Sequence, residues 1–132
     1  MSDIAVAIVI KKNMVLIVRR RQKEGSLHWQ FPSGGIEKGE TPMKASEREV
    51  LEETGIKCRA KNDLGDRIHP NTGAHVFYVF CEYEGGDAIV NDTEELDRVE
   101  WKTVNETLSL IKTSIFPAVH TLLTNIAVRH VD

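Results

Sequence analysis

The spacing of apolar residues changes along the chain, and the changes predict strands on both sides of a central helix. Two runs rich in β-branched residues, Ile4–Ile10 and Met14–Val18, flank Lys11-Lys12-Asn13, a pattern typical of a hairpin of largely buried strands. Later apolar runs predict three more extended segments. These are Ile56–Ala60, Ala74–Tyr83, which ends at a Gly85-Gly86 turn, and Val99–Val104.

Two helices are predicted from their end signals and their apolar spacing. Thr41 can cap the free amides of a helix, and Pro42 at the first helical position loses no hydrogen bond. This helix should run to Thr54, because Gly55 is placed to end it in the left-handed conformation. Apolar residues at helical spacing predict a second, amphipathic helix over Phe116–Val128.

The stretch between the hairpin and the first helix predicts mostly irregular structure. Arg19–His28 is polar and basic and predicts a loop, and Trp29–Phe31 predicts a short extended piece. Ser33–Gly35 and the nearby Gly39 indicate a tight loop that exposes its backbone.

Length and charge limit what this protein can be. A chain of 132 residues with 41% hydrophobic residues fits one domain, residues 1–132, with a core of its own. It has 17 basic and 20 acidic residues, a net charge of −3. Non-specific binding to nucleic acid needs a broad positive surface, so this class of partner is disfavoured.

The cysteines and the longest apolar run indicate in which cellular compartment the protein is expected. Cys58 and Cys81 lack the neighbouring Cys or His residues of a zinc site or a redox motif, so we interpret both as reduced and structural. Ile4–Ile10 is far shorter than the roughly 18 apolar residues of a membrane span, and it lacks the flanks of a secretory signal. A cytoplasmic protein without a membrane partner is expected.

Three glutamates stand out on the first predicted helix. At about 100° per residue, Glu49, Glu52 and Glu53 fall within one narrow arc. A solvated helix face is the ordinary interpretation of a charge run. Here, however, like charges three and four residues apart repel by about 0.2 to 0.5 kcal/mol per pair, with only Arg48 opposite Glu52. A divalent cation that neutralises the cluster explains the arrangement better.

The ligand type indicates which cation and which substrate. Carboxylate oxygens favour Mg²⁺ or Mn²⁺, whereas zinc favours His or Cys. Magnesium often keeps substrate phosphates among its ligands, which predicts a phosphate-bearing substrate. The bare backbone of Ser33–Gly35 can approach a pyrophosphate, although a Gly-Gly pair alone is more often only a turn.

The loop and the helix together carry a spaced motif. It reads Gly34, five residues, Glu40, seven residues, Arg48-Glu49-Val50, one residue, Glu52-Glu53, one residue, Gly55-Ile56. In this stretch the chain resembles the Nudix hydrolases, whose signature it matches completely. Trp29-Gln30-Phe31-Pro32 also resembles the usual family approach to the glycines.

The resemblance implies both a fold and an activity. The implied fold is α/β (α+β), a mixed β-sheet sandwiched between α-helices, with a loop, a helix and a loop at about residues 34–56. Members of the family cleave a diphosphate that is linked to another group, commonly a nucleoside. They do so by attack of metal-activated water on phosphorus.

Roles follow from the resemblance by position. Glu49, Glu52 and Glu53 would bind Mg²⁺ or Mn²⁺, and Glu52 or Glu53 would orient or deprotonate the attacking water. Arg48 would hold these carboxylates through charged hydrogen bonds, with an ordinary surface pair as the alternative. Glu40 would brace the loop against the helix.

Further site residues are implied outside the helix. Gly34 and Gly35 would shape the loop, and the backbone carbonyl of Ser33 would bind the metal, although many relatives carry Gly at that position. A further acidic ligand often precedes a later strand. Glu95 is our choice for it, against Glu94 or a solvated loop.

Substrate contacts are less well defined. The candidates for phosphate or base contact are Arg19, Arg20, Arg21 and Lys23, which follow the second strand, and alternation would put Arg19 and Arg21 on one face. Trp29 is a candidate for stacking on a base. Solvation of the arginines and burial of the aromatic ring are the alternatives.

The order of candidate functions rests on the same resemblance. Hydrolysis of a (d)NTP to (d)NMP and pyrophosphate, as in MutT-like enzymes, comes first, and ADP-ribose hydrolysis second. A third candidate is hydrolysis of an RNA 5′ end or a dinucleoside polyphosphate. A non-enzymatic nucleotide-binding module is the alternative of another class, and the protein would be a monomer or homodimer.

Overall fold

The computed structural model describes residues 3–22 and 24–129. These residues form seven strands and three helices. The strands are β1 (Ile4–Lys11), β2 (Met14–Arg21), β3 (Leu27–Gln30), β4 (Ser33–Gly35), β5 (Lys57–Ile68), β6 (His75–Gly85) and β7 (Leu96–Thr103). The helices are α1 (Pro42–Thr54), α2 (Val104–Leu110) and α3 (Pro117–Arg129).

All seven strands belong to one mixed sheet. The main path runs β3-β2-β1-β6-β5, with β4 paired to β1 and β7 paired to β2. The β1–β6 pair is parallel, and the other pairs are antiparallel. The predicted mixed sheet is therefore confirmed.

Helices cover both faces of this sheet. Along β2, Val15 and Ile17 pack into a core with α2 and α3, whereas Leu16 and Val18 pack into a core with Val50 of α1. Successive side chains of a strand point to opposite faces, so an uninterrupted apolar run fits a strand buried on both sides. The predicted sandwich of a sheet between helices is confirmed.

Helix α1 has the predicted ends. The Thr41 hydroxyl accepts a hydrogen bond from the amide of Lys44 at 3.2 Å, and Pro42 occupies the first turn. Gly55 ends the helix at φ 73°, and its amide donates to the carbonyl of Leu51 at 3.0 Å. These ends fix the positions of the glutamates along the helix.

Several predicted boundaries are wrong because strand pairing extends beyond the apolar runs. Strand β2 continues through the predicted loop to Arg21, since Arg19–Arg21 pair with β3 and Arg19 and Arg20 also pair with β7. Ser33–Gly35 was expected to be a loop, but it is strand β4, paired with Ile4–Val6. Strand β5 continues to Ile68 because it pairs with β6 across register shifts.

Helix α2 was not predicted. It replaces the end of the strand expected over Val99–Val104, because Thr103 and Glu106 form a reciprocal capping box there. Helix α3 lies where the second helix was predicted.

Two further features concern the sequence expectations. Cys58 and Cys81 are free and buried in the core beside α1. In the described part of the chain, every helix is too short or too polar to cross a membrane.

Helix α3 offers a matched test of this packing. Val119 is 0% exposed and Val128 is 73% exposed. Val119→Ala should lower the free energy of unfolding by about 2 kcal/mol, through lost burial and a residual cavity. Val128→Ala should change it by less than about 0.5 kcal/mol. Urea unfolding of both variants measures the difference, and equal losses would contradict the placement of α3.

Candidate active site

Helix α1 divides the three predicted glutamates between two environments. The side chains of Glu53 and Glu49 are 5% and 14% exposed, whereas that of Glu52 is 59% exposed. Glu49 and Glu53 lie one turn apart and line one cleft together with β4 and the end of β2. The three carboxylates were expected to share one arc of the helix. In the structure, those of Glu49 and Glu53 are turned towards the sheet, and that of Glu52 is turned towards solvent.

The inner position of Glu49 depends on a glycine. A Cβ atom on Gly34 would overlap the carboxylate of Glu49. Strand β4 carries Gly34 opposite Ala5 of β1, so the backbone forms the wall against which this carboxylate rests. Burial raises the pKa of Glu49, and its hydrogen bond from Arg48 opposes the rise.

Glu53 is the most enclosed of the carboxylates. One oxygen accepts a hydrogen bond from the Arg20 guanidinium at 2.6 Å, and the other accepts from the amide of Ser33 at 3.3 Å. Burial raises the pKa of Glu53 to about 7, and the positive charge of Arg20 opposes the rise. The negative charge of Glu53 is thus compensated by one positively charged side chain, that of Arg20.

Arg20 also connects this helix to a later loop. Its second terminal nitrogen donates to the carboxylate of Glu95 at 2.6 Å. Carboxylate oxygens of Glu53, Asp92 and Glu95 lie within 4.8 Å of one another. Such an all-oxygen donor set is of the kind that Mg²⁺ or Mn²⁺ prefers, so these residues fit the implied metal.

Arg48 joins α1 to the segment before it. Its guanidinium donates to both oxygens of Glu40, at 2.7 and 2.8 Å, to the carbonyl of Gly35 at 2.9 Å, and to Glu49 at 2.7 Å. Glu52 accepts a longer bond at 3.3 Å. These bonds hold the pKa of Glu40 down at about 2 and raise that of Arg48. A bidentate pair of this kind fixes the helix relative to the loop.

Two of the predicted substrate contacts, Arg19 and Trp29, lie on the opposite face of the sheet from the carboxylates. The Arg19 guanidinium lies 5.5 Å from the centre of the Trp29 ring and forms an ion pair with Asp97 at 2.6 Å. Arg21 is exposed at the end of β2. Arg20, which lies between Arg19 and Arg21, points to α1, where it binds Glu53. Lys23 lies outside the described residues.

Trp29 belongs to a second, larger cavity. This cavity has a volume of about 530 Å³ and is lined mostly by apolar and aromatic side chains, including Phe31, Tyr78 and Phe116. Gln30 and Ser33 line both this cavity and the carboxylate cleft, so the two adjoin.

Two polar residues of the cleft were not predicted beside the carboxylates. Arg20 was a candidate only for phosphate or base contact, and Asp92 was not singled out. For Arg20 a signal was available, because strand alternation places it on the same face as the buried Leu16 and Val18. Asp92 reaches the site only through the path of the loop between β6 and β7.

Comparison with known proteins places the chain in a family. The sequence profile of the NUDIX domain matches residues 1–121, so the chain belongs to the NUDIX family, as the spaced motif predicts. A solved NUDIX hydrolase from Nitrosomonas europaea has the same fold, with a TM-score of 0.78 and 19% identity over 94% of this chain and 70% of that one.

Two curated relatives extend the comparison. A nudix hydrolase of Caenorhabditis elegans is 29% identical over 107 residues, which are 78% of this chain and 29% of that protein. An RNA pyrophosphohydrolase of Francisella tularensis subsp. mediasiatica is 39% identical over 56 residues, which are 42% of this chain and 34% of that protein. The chain thus matches about a third of the length of these relatives.

The Arg48–Glu40 pair generates a prediction on stability against pH. The pKa of Glu40 is about 2 in the folded protein against an ordinary 4.5, so its contribution is present above the ordinary value and lost as pH falls towards 2. Glu40→Gln should lower the melting temperature by a few degrees at neutral pH, with a difference that shrinks in acid.

Glu37→Gln is the matched control, because Glu37 is 70% exposed and lies 3.7 Å from Arg48. It should leave the melting temperature nearly unchanged. Thermal scans from neutral pH to about pH 3 decide the matter. A Glu40→Gln deficit that is equally large in acid would contradict the assigned ion pair.

Proposed function

We propose that this protein is a Mg²⁺- or Mn²⁺-dependent pyrophosphohydrolase of nucleotides. The observation that carries the proposal is the carboxylate cleft of Glu49, Glu53 and Glu95 beside an apolar cavity of about 530 Å³. A diphosphate in the cleft would place the group linked to it in the cavity. Family membership supports the same chemistry.

The metal would be held by the inner carboxylates. Glu49, Glu53 and Glu95 are the proposed ligands, with Asp92 as an addition from the loop and the carbonyl of Ser33 from β4. Bound there, a divalent cation lowers the pKa of water and neutralises charge on phosphoryl oxygens.

The protein's own groups would orient the reaction. Arg48 holds Glu49 from the side, and Glu53 lies deepest in the cleft, beside Ser33. Of the two candidates for orienting or deprotonating water, Glu53 faces the cleft, and Glu52 stands at its solvent side as an alternative. Glu40 positions Arg48, which also binds the carbonyl of Gly35, while Gly34 leaves space for Glu49.

The cavity favours a nucleoside as the linked group. Its described lining combines aromatic and apolar side chains with ten polar ones, and neither Lys nor Arg is among them. Such a pocket suits an uncharged planar base better than a second phosphate. We therefore place (d)NTP hydrolysis to (d)NMP and pyrophosphate first, with ADP-ribose as the second substrate.

The similarity to an RNA pyrophosphohydrolase keeps an RNA 5′ end as a third candidate. Products from dNTPs, 8-oxo-dGTP, ADP-ribose, a diadenosine polyphosphate and 5′-triphosphate RNA would separate these substrates. Release of pyrophosphate with a nucleoside monophosphate from dNTPs is the expected result. Activity confined to RNA or ADP-ribose would overturn the order. A cytoplasmic monomer or homodimer remains our expectation.

Replacement of the buried carboxylate tests catalysis. Glu53→Gln should lower turnover by about 10² or more while the protein stays folded, because a metal-bound or base carboxylate typically contributes this much. Steady-state release of pyrophosphate, converted to phosphate by added inorganic pyrophosphatase, is the measurement. Glu82→Gln, an exposed glutamate on β6, makes the same change away from the cleft and should retain full activity. Near wild-type turnover of Glu53→Gln would refute the assignment.

Metal binding should also stabilise the fold. A ligand that binds only the native state adds RT ln(1 + [L]/Kd), about 2.7 kcal/mol at a hundredfold excess over Kd. The melting temperature should therefore rise by several degrees in millimolar Mg²⁺ or Mn²⁺. The double variant Glu49→Gln/Glu53→Gln should lose this rise.

Product release measured with Mg²⁺ and with EDTA separates an enzyme from a nucleotide-binding module. An enzyme would release pyrophosphate with Mg²⁺ and stop when EDTA is added, whereas a module would bind nucleotide and release no product in either condition. If the wild type shows no thermal shift with metal, or if the double variant shifts equally, the carboxylate cleft does not bind the cation.

A further inference from the structure

The loop between β6 and β7 is fastened to the end of helix α1. The last carbonyls of a helix lack partners within the helix, so they accept hydrogen bonds from elsewhere. Here the amide of Ile89 donates to the carbonyl of Thr54 at 3.0 Å, and the amide of Asn91 donates to that of Glu53 at 3.0 Å. The side-chain amide of Asn91 donates to the carbonyl of Glu52 at 2.9 Å.

Close packing supports this attachment. A Cβ atom on Gly55 would lie 2.9 Å from Cγ1 of Ile89. A Cβ atom on Gly86, which has a φ of 91°, would lie 2.6 Å from the carbonyl oxygen of Gly55. Two glycines thus allow the loop backbone to touch the end of the helix.

The far end of the loop is fastened to strand β2. The amide of Arg21 donates to the carbonyl of Glu95 at 2.8 Å. Between the two attachments, the amide of Glu95 donates to the Asp92 carboxylate at 3.2 Å, and the amide of Leu96 donates to the Asp92 carbonyl at 3.0 Å. The two acidic side chains are therefore carried on a short segment held at both ends.

Asn91 occupies the decisive position in this segment. It is the direct neighbour of Asp92, and its two donors bind the carbonyls of Glu52 and Glu53. Its side chain is exposed, so neither burial nor core packing explains the second hydrogen bond. Asn has the side-chain N–H donor that this bond requires, whereas Asp and Ala lack it.

We propose that Asn91 is a positioning residue, which fastens the loop to α1 so that Asp92 and Glu95 face Glu53 at metal-binding distance. This inference rests on the proposed function, since it concerns the same cation. Without the side-chain hydrogen bond, the loop would lose one of the two attachments made by Asn91. The carboxylates of Asp92 and Glu95 would then be held less firmly in position, and the cation would bind more weakly.

The test measures metal binding without substrate. Asn91→Ala removes the donor, and Asn91→Asp removes it while keeping the shape of the side chain. Asn105→Ala, at an exposed position on α2, is the matched control. Mn²⁺ binding is followed by the electron paramagnetic resonance of the free ion, and melting temperatures in EDTA report whether each variant is folded.

Both Asn91 variants should bind Mn²⁺ about tenfold more weakly than the wild type, the size typical of lost support for metal ligands. The Mg²⁺ concentration for half-maximal activity should rise by a similar factor, with kcat at saturating Mg²⁺ retained. A purely structural role would instead lower the melting temperature in EDTA and reduce kcat at every Mg²⁺ concentration. Asn105→Ala should match the wild type.

Each outcome decides a different claim. If the wild type binds no Mn²⁺, the proposed metal site fails, and the inference fails with it. If the wild type binds Mn²⁺ and both Asn91 variants bind it equally well, only the positioning role is overturned. Tighter binding by Asn91→Asp with weaker binding by Asn91→Ala would also overturn it, because charge rather than attachment would then set the affinity.

Discussion

The site is organised around the burial of one carboxylate, that of Glu53. A buried charge is unfavourable unless an opposite charge and hydrogen bonds compensate it. Arg20 and the amide of Ser33 supply this compensation, and they come from two different strands. Arg20 binds Glu95 as well, so its guanidinium joins helix α1, strand β2 and the loop before β7. The paths of these three segments are set by the need to surround one side chain.

A second constraint is the distance between helix α1 and strand β4. Gly34 lets the carboxylate of Glu49 rest directly on the strand backbone. Arg48 then holds the helix at that distance through its bonds to Glu40 and to the carbonyl of Gly35. The spaced motif thus contains two kinds of residue. Some allow helix α1 and strand β4 to pack closely, and the others are the glutamates that this packing places in the cleft.

Local signals were enough to predict much of this architecture from the sequence. The hairpin, the ends of α1 and the glutamates of the motif depend on neighbours within a few residues. Strand β4 and the polar half of β2 were missed because only pairing with distant strands makes them extended. Asp92 was missed for the same reason, since its role depends on which segments meet in space, whereas alternation along β2 was enough to put Arg20 on the side of α1. A single domain over residues 1–132 stays a prediction.

We propose that the inner face of α1, and not its solvent face, binds the cation. Anomalous diffraction from crystals soaked in Mn²⁺ locates the ion directly. We expect one peak about 2.1 Å from a carboxylate oxygen of Glu53, with Glu49 or Glu95 also in contact. A peak bound by Glu52 alone, or no peak in the cleft at saturating Mn²⁺, would contradict binding at the inner face.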